Sequence, residues 1–170
     1  MPISMHAASV PIFTRMLTNM LAWLDKAEAH AAARKFDTSN YLESRLTSDM
    51  LPFTSQIQIA SDSAKLCVAR LAAVEAPKWA DEEASFAELR ARIQKTIDYV
   101  QSIPAAKFEG AESREVNLPL GPSRSLKVTG EVMLRGFSLP NFFFHVAMTY
   151  ALLRAGGVEL GKLDYLGAVA

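Results

Sequence analysis

The residues best suited to chemistry lie in an aromatic segment, FSLPNFFFHVAMTYALLRAGG, at positions 137–157. Asn141 and His145 are four residues apart, and they are the strongly polar side chains between Pro140 and Thr149. Because residues four apart share one face of a helix, Asn141, His145 and Thr149 should point in the same direction. A helix that is apolar on all sides is buried, and buried polar groups need partners. This face should therefore look into the core or into a cavity.

A second segment supplies partners for that face. Asp49 and Gln56 are seven residues apart, which puts them on one face of a predicted second helix. We expect both side chains to approach Asn141 and His145 across the core. The predicted pocket consists of Asp49, Gln56, Asn141, His145 and Thr149.

Two interpretations of this pocket stay open. In the first, the side chains form a hydrogen-bonded cluster, amide to imidazole, that fixes the fourth helix against the second. In the second, they form a metal or catalytic centre of the kind that helical bundles commonly hold.

Four predicted helices position these residues. The first contains an apolar stripe at three- and four-residue spacing in the N-terminal segment. The second opens at Asp49 as its N-cap, and the third opens at a capping box formed by Ser85 and Glu88. The fourth runs from near Ser138 to about Ala155.

The periodicity changes between the third and fourth helices. REVNL and SLKVT alternate apolar and polar residues, and LGPSR between them contains turn residues. This pattern predicts a β-hairpin in which Arg114–Leu118 pairs with Ser125–Thr129. The fold class is therefore all-α: a four-helix bundle with a small inserted hairpin, in a single domain of residues 1–170.

Composition limits the classes of function. Lys and Arg together balance Asp and Glu at 18 each, so charge gives no reason to expect a nucleic acid or an anionic membrane as partner. Cys67 is the single cysteine, which excludes an internal disulfide and favours a reducing cytoplasm. The uncharged run between Arg135 and Arg154 just reaches the length of a membrane span. Its polar residues favour a helix buried in protein.

Three segments carry a resemblance to a known group of proteins. They are LAWLDKAEAHA, SRLTSDMLPFTSQIQIASDSAK and LPNFFFHVAMTYALLRAGGVELGKLDYLG. On these segments the chain resembles the DinB-like superfamily of proposed metalloenzymes, and within it a bacterial family of unknown function. The resemblance covers essentially the whole chain, and it implies a DinB-like four-helix bundle.

The resemblance also implies a position for a metal. In that superfamily three histidines typically hold a divalent ion, one on the second helix and two spaced H-x-x-x-H on the fourth, before an arginine and a glycine. Aligning Arg154 and Gly157 with that last pair places the ligand positions at Gln56, Asn141 and His145. Amide oxygens bind transition metals poorly, so the triad is degenerate and a zinc or nickel ion would depend on His145.

Three hypotheses about function follow. The first is a bundle with a degenerate triad and a small buried polar pocket that binds an unidentified small molecule, or acts on one, without a metal. The second, implied by the resemblance, is a metal-dependent thiol transferase or isomerase that uses His145. The third is a structural interaction module that forms a homodimer. Whether the protein is an enzyme stays open. We expect no cofactor in the first case, and a homodimer in solution.

Overall fold

Long helices and one hairpin make up most of the computed structural model, which describes residues 3–119, 121 and 123–168. The elements in chain order are α1 (Val10–Arg34), α2 (Ser39–Leu42), α3 (Phe53–Ala72), α4 (Phe86–Ser102), a 3-10 turn (Ala105–Phe108), β1 (Glu115–Pro119), β2 (Ser125–Thr129), α5 (Gly130–Met133), a π-helical segment (Leu134–Ser138), α6 (Leu139–Ala155) and α7 (Lys162–Leu166). The four predicted helices correspond to α1, α3, α4 and α6. The mostly helical fold with an inserted hairpin is confirmed.

The four long helices pack against one another, and α1 and α3 also make a small direct contact. α3 contacts α4 and α6, and α1 also contacts α4 and α6. Phe13 of α1 meets Phe142 of α6 edge-on, with 4.8 Å between the ring centroids, and both rings are fully buried. Phe53 of α3 stacks on Phe86 of α4. The apolar stripes predicted for these helices therefore share one core. Within the residues described, we find no helix that is both long and apolar enough to span a bilayer.

The hairpin pairs its strands antiparallel, with Glu115 opposite Thr129 and Pro119 opposite Ser125. The first strand begins one residue later than predicted. Two residues of the predicted turn, Leu120 and Pro122, lie outside the described part of the chain.

The fourth predicted helix begins earlier than expected. α5, the π-helical segment and α6 are continuous, so Pro140 lies well inside a helix that starts at Gly130. Proline cannot donate to the carbonyl four residues before it, and its ring clashes with that group in a regular α-helix. The wider turn just before Pro140, in which the Leu139 N–H bonds to the Leu134 carbonyl, lets the helix continue. A glycine is required at position 130, because an added Cβ would lie 2.0 Å from the carbonyl oxygen of Ala111.

The second predicted helix begins later than expected, and the prediction that Asp49 caps it is wrong. α3 starts at Phe53, after an extended Pro52, and Asp49 is exposed in the preceding turn. The residue before a proline is disfavoured in helical conformation, so the helix cannot extend back through this point. The Phe53 N–H instead donates to the Ser44 carbonyl, at 2.9 Å.

A fully buried guanidinium joins α3, α4 and the loop between them. Arg92 of α4 lies 2.9 Å from Asp62, 2.8 Å from Asp81 and 3.1 Å from Glu83, and it also donates to the Ala80 carbonyl at 3.0 Å. Burial alone would raise the pKa of Glu83, but hydrogen bonds from Gln58 and Arg92 outweigh it and lower that pKa. The network holds the loop against both helices.

Replacing Arg92 by alanine should cost about 3–5 kcal/mol of unfolding free energy, because it removes a fully buried charged side chain and leaves the buried Glu83 carboxylate without its counter-charge. Arg90→Ala is the matched control. It lies on the same helix and removes partly exposed salt bridges to Asp25 and Glu28, which are worth about 0–1 kcal/mol. Urea denaturation measures both variants. Equal losses would show that burial of the Arg92 charge is not what stabilises this region.

Candidate functional site

The structure brings Gln56 and His145 into direct contact, as helical phase predicts. The Gln56 side-chain Nε2 donates to the Leu51 carbonyl at 2.9 Å, which leaves Oε1 to face Nδ1 of His145 at 2.8 Å. Since Oε1 can only accept, Nδ1 must carry the proton. The neutral imidazole therefore has its unshared electron pair on Nε2. Burial lowers the pKa of His145, which favours this neutral form.

The other predicted pocket residues have different partners. Asn141 donates through Nδ2 to the Ser63 hydroxyl at 2.6 Å. The Thr149 hydroxyl bonds back to the His145 carbonyl on its own helix. Asp49 is exposed, and among the described residues no hydrogen bond links it to the other four, so its predicted approach to His145 is wrong. The predicted pocket is therefore two separate sites: a direct Gln56–His145 hydrogen bond, and the surroundings of Asn141, which contacts Ser63.

Asn141 lines a cleft of about 250 Å³ between α3, α6, the π-helical segment and the end of β1. We call it the Asn141 cleft. Its polar walls include Gln58, Asp62, Ser63, Arg70, Asp81 and Asn141. The five cavities that stand out in the described part of the chain are lined by residues other than Gln56 and His145.

The charges of the Asn141 cleft are unevenly paired. Asp62 bonds to Lys65 at 2.6 Å and to Arg92 at 2.9 Å, and Asp81 bonds to Arg92. Arg70 has no salt bridge and no side-chain hydrogen bond with any residue that the structure describes, although its guanidinium is half-buried. Among the residues described, Arg70 is therefore the charged group of the cleft that has no partner.

Sequence reasoning missed Ser63 and Arg70, although a signal for both is present. The spacing that relates Asp49 to Gln56 continues forward to Ser63 and then to Arg70. Seven residues are nearly two helical turns, so Gln56, Ser63 and Arg70 form one polar row along α3. A search for polar residues at that spacing in both directions would have found the row.

The buried thiol is not a reactive group. Cys67 is fully buried on α3, and burial raises its pKa to about 12. The thiolate is the nucleophilic form, so this side chain stays inert at neutral pH, as expected for a core cysteine.

The donor set does not fit the metal that the superfamily typically holds. The three positions that the resemblance assigns to ligands hold one imidazole, and Gln56 Oε1 is engaged by the His145 Nδ1–H. Asn141 directs its amide to Ser63. Within residues 3–119, 121 and 123–168, no group of three or more His, Cys, Asp or Glu is arranged to hold an ion. His145 Nε2 alone would be a weak site for zinc or nickel.

Comparison with known proteins identifies the family. A family described as "Domain of unknown function (DUF1993)" matches residues 5–166. The crystal structure of a DinB family member protein from Shewanella denitrificans, at 1.83 Å resolution, is similar to this chain with a TM-score of 0.89 and 40% sequence identity, over 96% of this chain and 92% of that one. No curated protein matches. The chain belongs to the DUF1993 family and is a DinB-like protein of unknown function.

The buried His145 should make the free energy of unfolding depend on pH. Its folded-state pKa is lowered, so the unfolded chain takes up the proton at a higher pH than the folded chain does. The contribution of His145 is then fully present above its ordinary pKa of 6.5, and it is lost as pH falls below that value. We expect the unfolding free energy to drop less between pH 7.5 and pH 5.5 in His145→Gln than in the parent.

Urea denaturation at both pH values measures this difference. His6→Gln is the control, since it removes an imidazole that packs edge-on against Phe108 outside the site. An equal change of pH dependence in the two variants would contradict the assignment to His145.

Proposed function

We propose that this DinB-like protein binds a small molecule in the Asn141 cleft without a metal ion. One observation carries the proposal. Asn141 stands at a position where the superfamily typically has a ligand histidine, and it pairs with Ser63 in the wall of a cleft. Gln56 engages Nδ1 of the remaining imidazole. The polar groups that face the cleft can therefore hold a ligand by hydrogen bonds, whereas the imidazole stabilises the contact between α3 and α6.

The arrangement of the helices supports this site. In our proposal α1, α3, α4 and α6 form the four-helix bundle of the superfamily, and the cleft lies on the side where α3 packs against α6. The π-helical segment contributes Phe137 and Ser138 to the cleft. Such segments frequently occur at functional sites, because they turn side chains in directions that a regular helix does not allow.

The volume of the cleft limits its ligand. Sites for drug-sized ligands typically occupy about 300–1,000 Å³. A cleft of about 250 Å³ is smaller than that range. A metabolite with few heavy atoms fits it better than a nucleotide cofactor does.

The homodimeric interaction module is a second candidate function, and exposed aromatic side chains favour it. Phe144 on α6 is 50% exposed and Phe137 is 36% exposed. Contiguous exposed apolar surface marks interaction sites, and these two rings lie seven residues apart along one continuous helix. A second copy of the chain could cover them.

Binding in the cleft predicts a specific loss in Asn141→Leu. NMR titration of the parent with a set of small polar compounds should shift the backbone amides of Ser63, Phe137 and Asn141 together. Asn141→Leu should weaken the same compounds about tenfold, which corresponds to one hydrogen bond of ~1.4 kcal/mol. Asn40→Leu, at an exposed position on α2, is the control and should leave the affinity unchanged.

Metal content, measured by mass spectrometry on untagged protein after dialysis against zinc and nickel, distinguishes this proposal from the thiol-transferase hypothesis. We expect no stoichiometric metal. One equivalent that is lost in His145→Ala, together with no binding in the cleft, would contradict the proposal.

The second candidate predicts a concentration-dependent dimer. Size-exclusion chromatography with light scattering should give a dimer mass for the parent and a monomer mass for Phe144→Gln. Leu163→Gln is the control, since Leu163 is 82% exposed on α7. A monomeric parent at all concentrations would exclude the module.

A further inference from the structure

We infer that the Asn141 cleft recognises a small organic carboxylate, which Arg70 binds through its guanidinium. The inference rests on the proposed function and adds the chemical class of the ligand. Three features of the cleft carry it: the pairing of its charges, the hydrogen-bonding capacity that Ser63 and Asn141 keep, and its apolar walls.

The pairing of charges selects an anion. Both acidic residues of the cleft already have cationic partners: Asp62 is bound by Lys65 and Arg92, and Asp81 is bound by Arg92, which it shares with Glu83. Arg70 keeps its charge without a carboxylate partner among the residues described. A bound cation would therefore meet acids that already have cationic partners, and the Arg70 guanidinium would repel it. An anion would supply the partner that Arg70 lacks.

The environment of Arg70 strengthens this conclusion. Desolvation by burial is the main cause that lowers the pKa of Arg70, which means that its charge has lost water without gaining a compensating acid. Arginine nevertheless remains protonated at neutral pH. A carboxylate would restore the lost stabilisation, because two parallel N–H donors of a guanidinium match its two oxygens.

The polar pair gives the ligand a second point of attachment. Ser63 Oγ accepts the hydrogen bond from Asn141, and its hydroxyl hydrogen has no acceptor among the described residues. The second amide hydrogen and the oxygen of Asn141 likewise have no partner in the part of the chain that the structure describes. Ser63 and Arg70 are about 10 Å apart along the axis of α3, so a long arginine side chain and a short ligand together can bridge them.

The apolar walls define the rest of the ligand. Leu66 lies on α3 between Ser63 and Arg70, and Leu118 and Phe137 line the cleft from β1 and the π-helical segment. These walls favour a hydrocarbon or aromatic group over a second charge. A phosphate dianion would meet a single unpaired cation, so a monocarboxylate with a short apolar body fits the cleft best.

The test compares charged and neutral probes of equal shape. Butyrate and benzoate are titrated into the isotope-labelled parent beside butyramide and benzamide, and the Ser63 and Asn141 amide resonances report binding. The same titrations are made on Arg70→Gln and on Arg15→Gln. Arg15 is an exposed arginine on α1, and it controls for a change of net charge.

We expect the carboxylates to bind about ten- to 100-fold more tightly than the matching amides, as a charge-assisted hydrogen bond requires. Arg70→Gln should remove that preference, and Arg15→Gln should keep it. If amides and carboxylates bind the parent equally, or if Arg70→Gln keeps the preference, the anion assignment is wrong while binding in the cleft stands. If none of the four probes shifts the cleft resonances, the carboxylate inference is overturned. Whether the cleft binds small molecules at all is then decided by the Asn141→Leu titration.

Discussion

The buried charge of Arg92 is the constraint on which the rest of this structure depends. A guanidinium withdrawn from water must be surrounded by acceptors, and Arg92 obtains them from α3 and from the loop that leads into α4. The loop is thereby held where Asp81 can help to form the Asn141 cleft. The same bonds engage both acids of the cleft, and among the described residues Arg70 is left without an acidic partner. The charge that Arg70 presents to the cleft is therefore linked to how Arg92 is buried, on a different helix.

A second constraint comes from Pro140. A regular helix would clash at this residue, and the chain continues only because the turn before it widens. Widening changes the direction in which Phe137 and Ser138 point, and both line the cleft one turn before Asn141. The wider turn that accommodates Pro140 thus also shapes one wall of the Asn141 cleft. The aromatic segment that the sequence places around Asn141 serves the core through Phe142 and the cleft through Phe137.

Much of this architecture could be predicted from periodicity, because the apolar stripes of the long helices and the alternation of the hairpin are strong local signals. The capping box at Ser85 was equally readable, and its hydroxyl accepts the Glu88 N–H. The contact of Gln56 with His145 followed from helical phase. The starts of helices were less predictable. Asp49 is a residue type that commonly caps helices, but the first N–H of α3, at Phe53, donates to the carbonyl of Ser44 instead.

Partners within the site were harder to predict than positions on a helix face. Helical phase shows which side chains point the same way, but it does not show which group on the neighbouring helix each one meets. Ser63 was overlooked because serine is common on helix surfaces, and its importance depends on Asn141 across the interface. The free charge of Arg70 could not be read from the sequence at all. It depends on Asp62 and Asp81 being engaged by an arginine more than ten residues further along the chain.

One helical turn separates Asn141 from His145, and the two residues belong to different kinds of polar site. At His145, the glutamine on α3 fixes its amide to a backbone carbonyl, and this orients Oε1 and sets the tautomer of the imidazole. The His145 Nδ1–H and one amide hydrogen of Gln56 are both bound, which makes this a structural contact. At Asn141 the partner is a hydroxyl that still has a hydrogen to donate. A metal bound by three histidines would join both positions through one ion. With amides at two of those three positions, Asn141 and His145 have separate partners. Asn141, which keeps unused donors, is the one that faces the cleft.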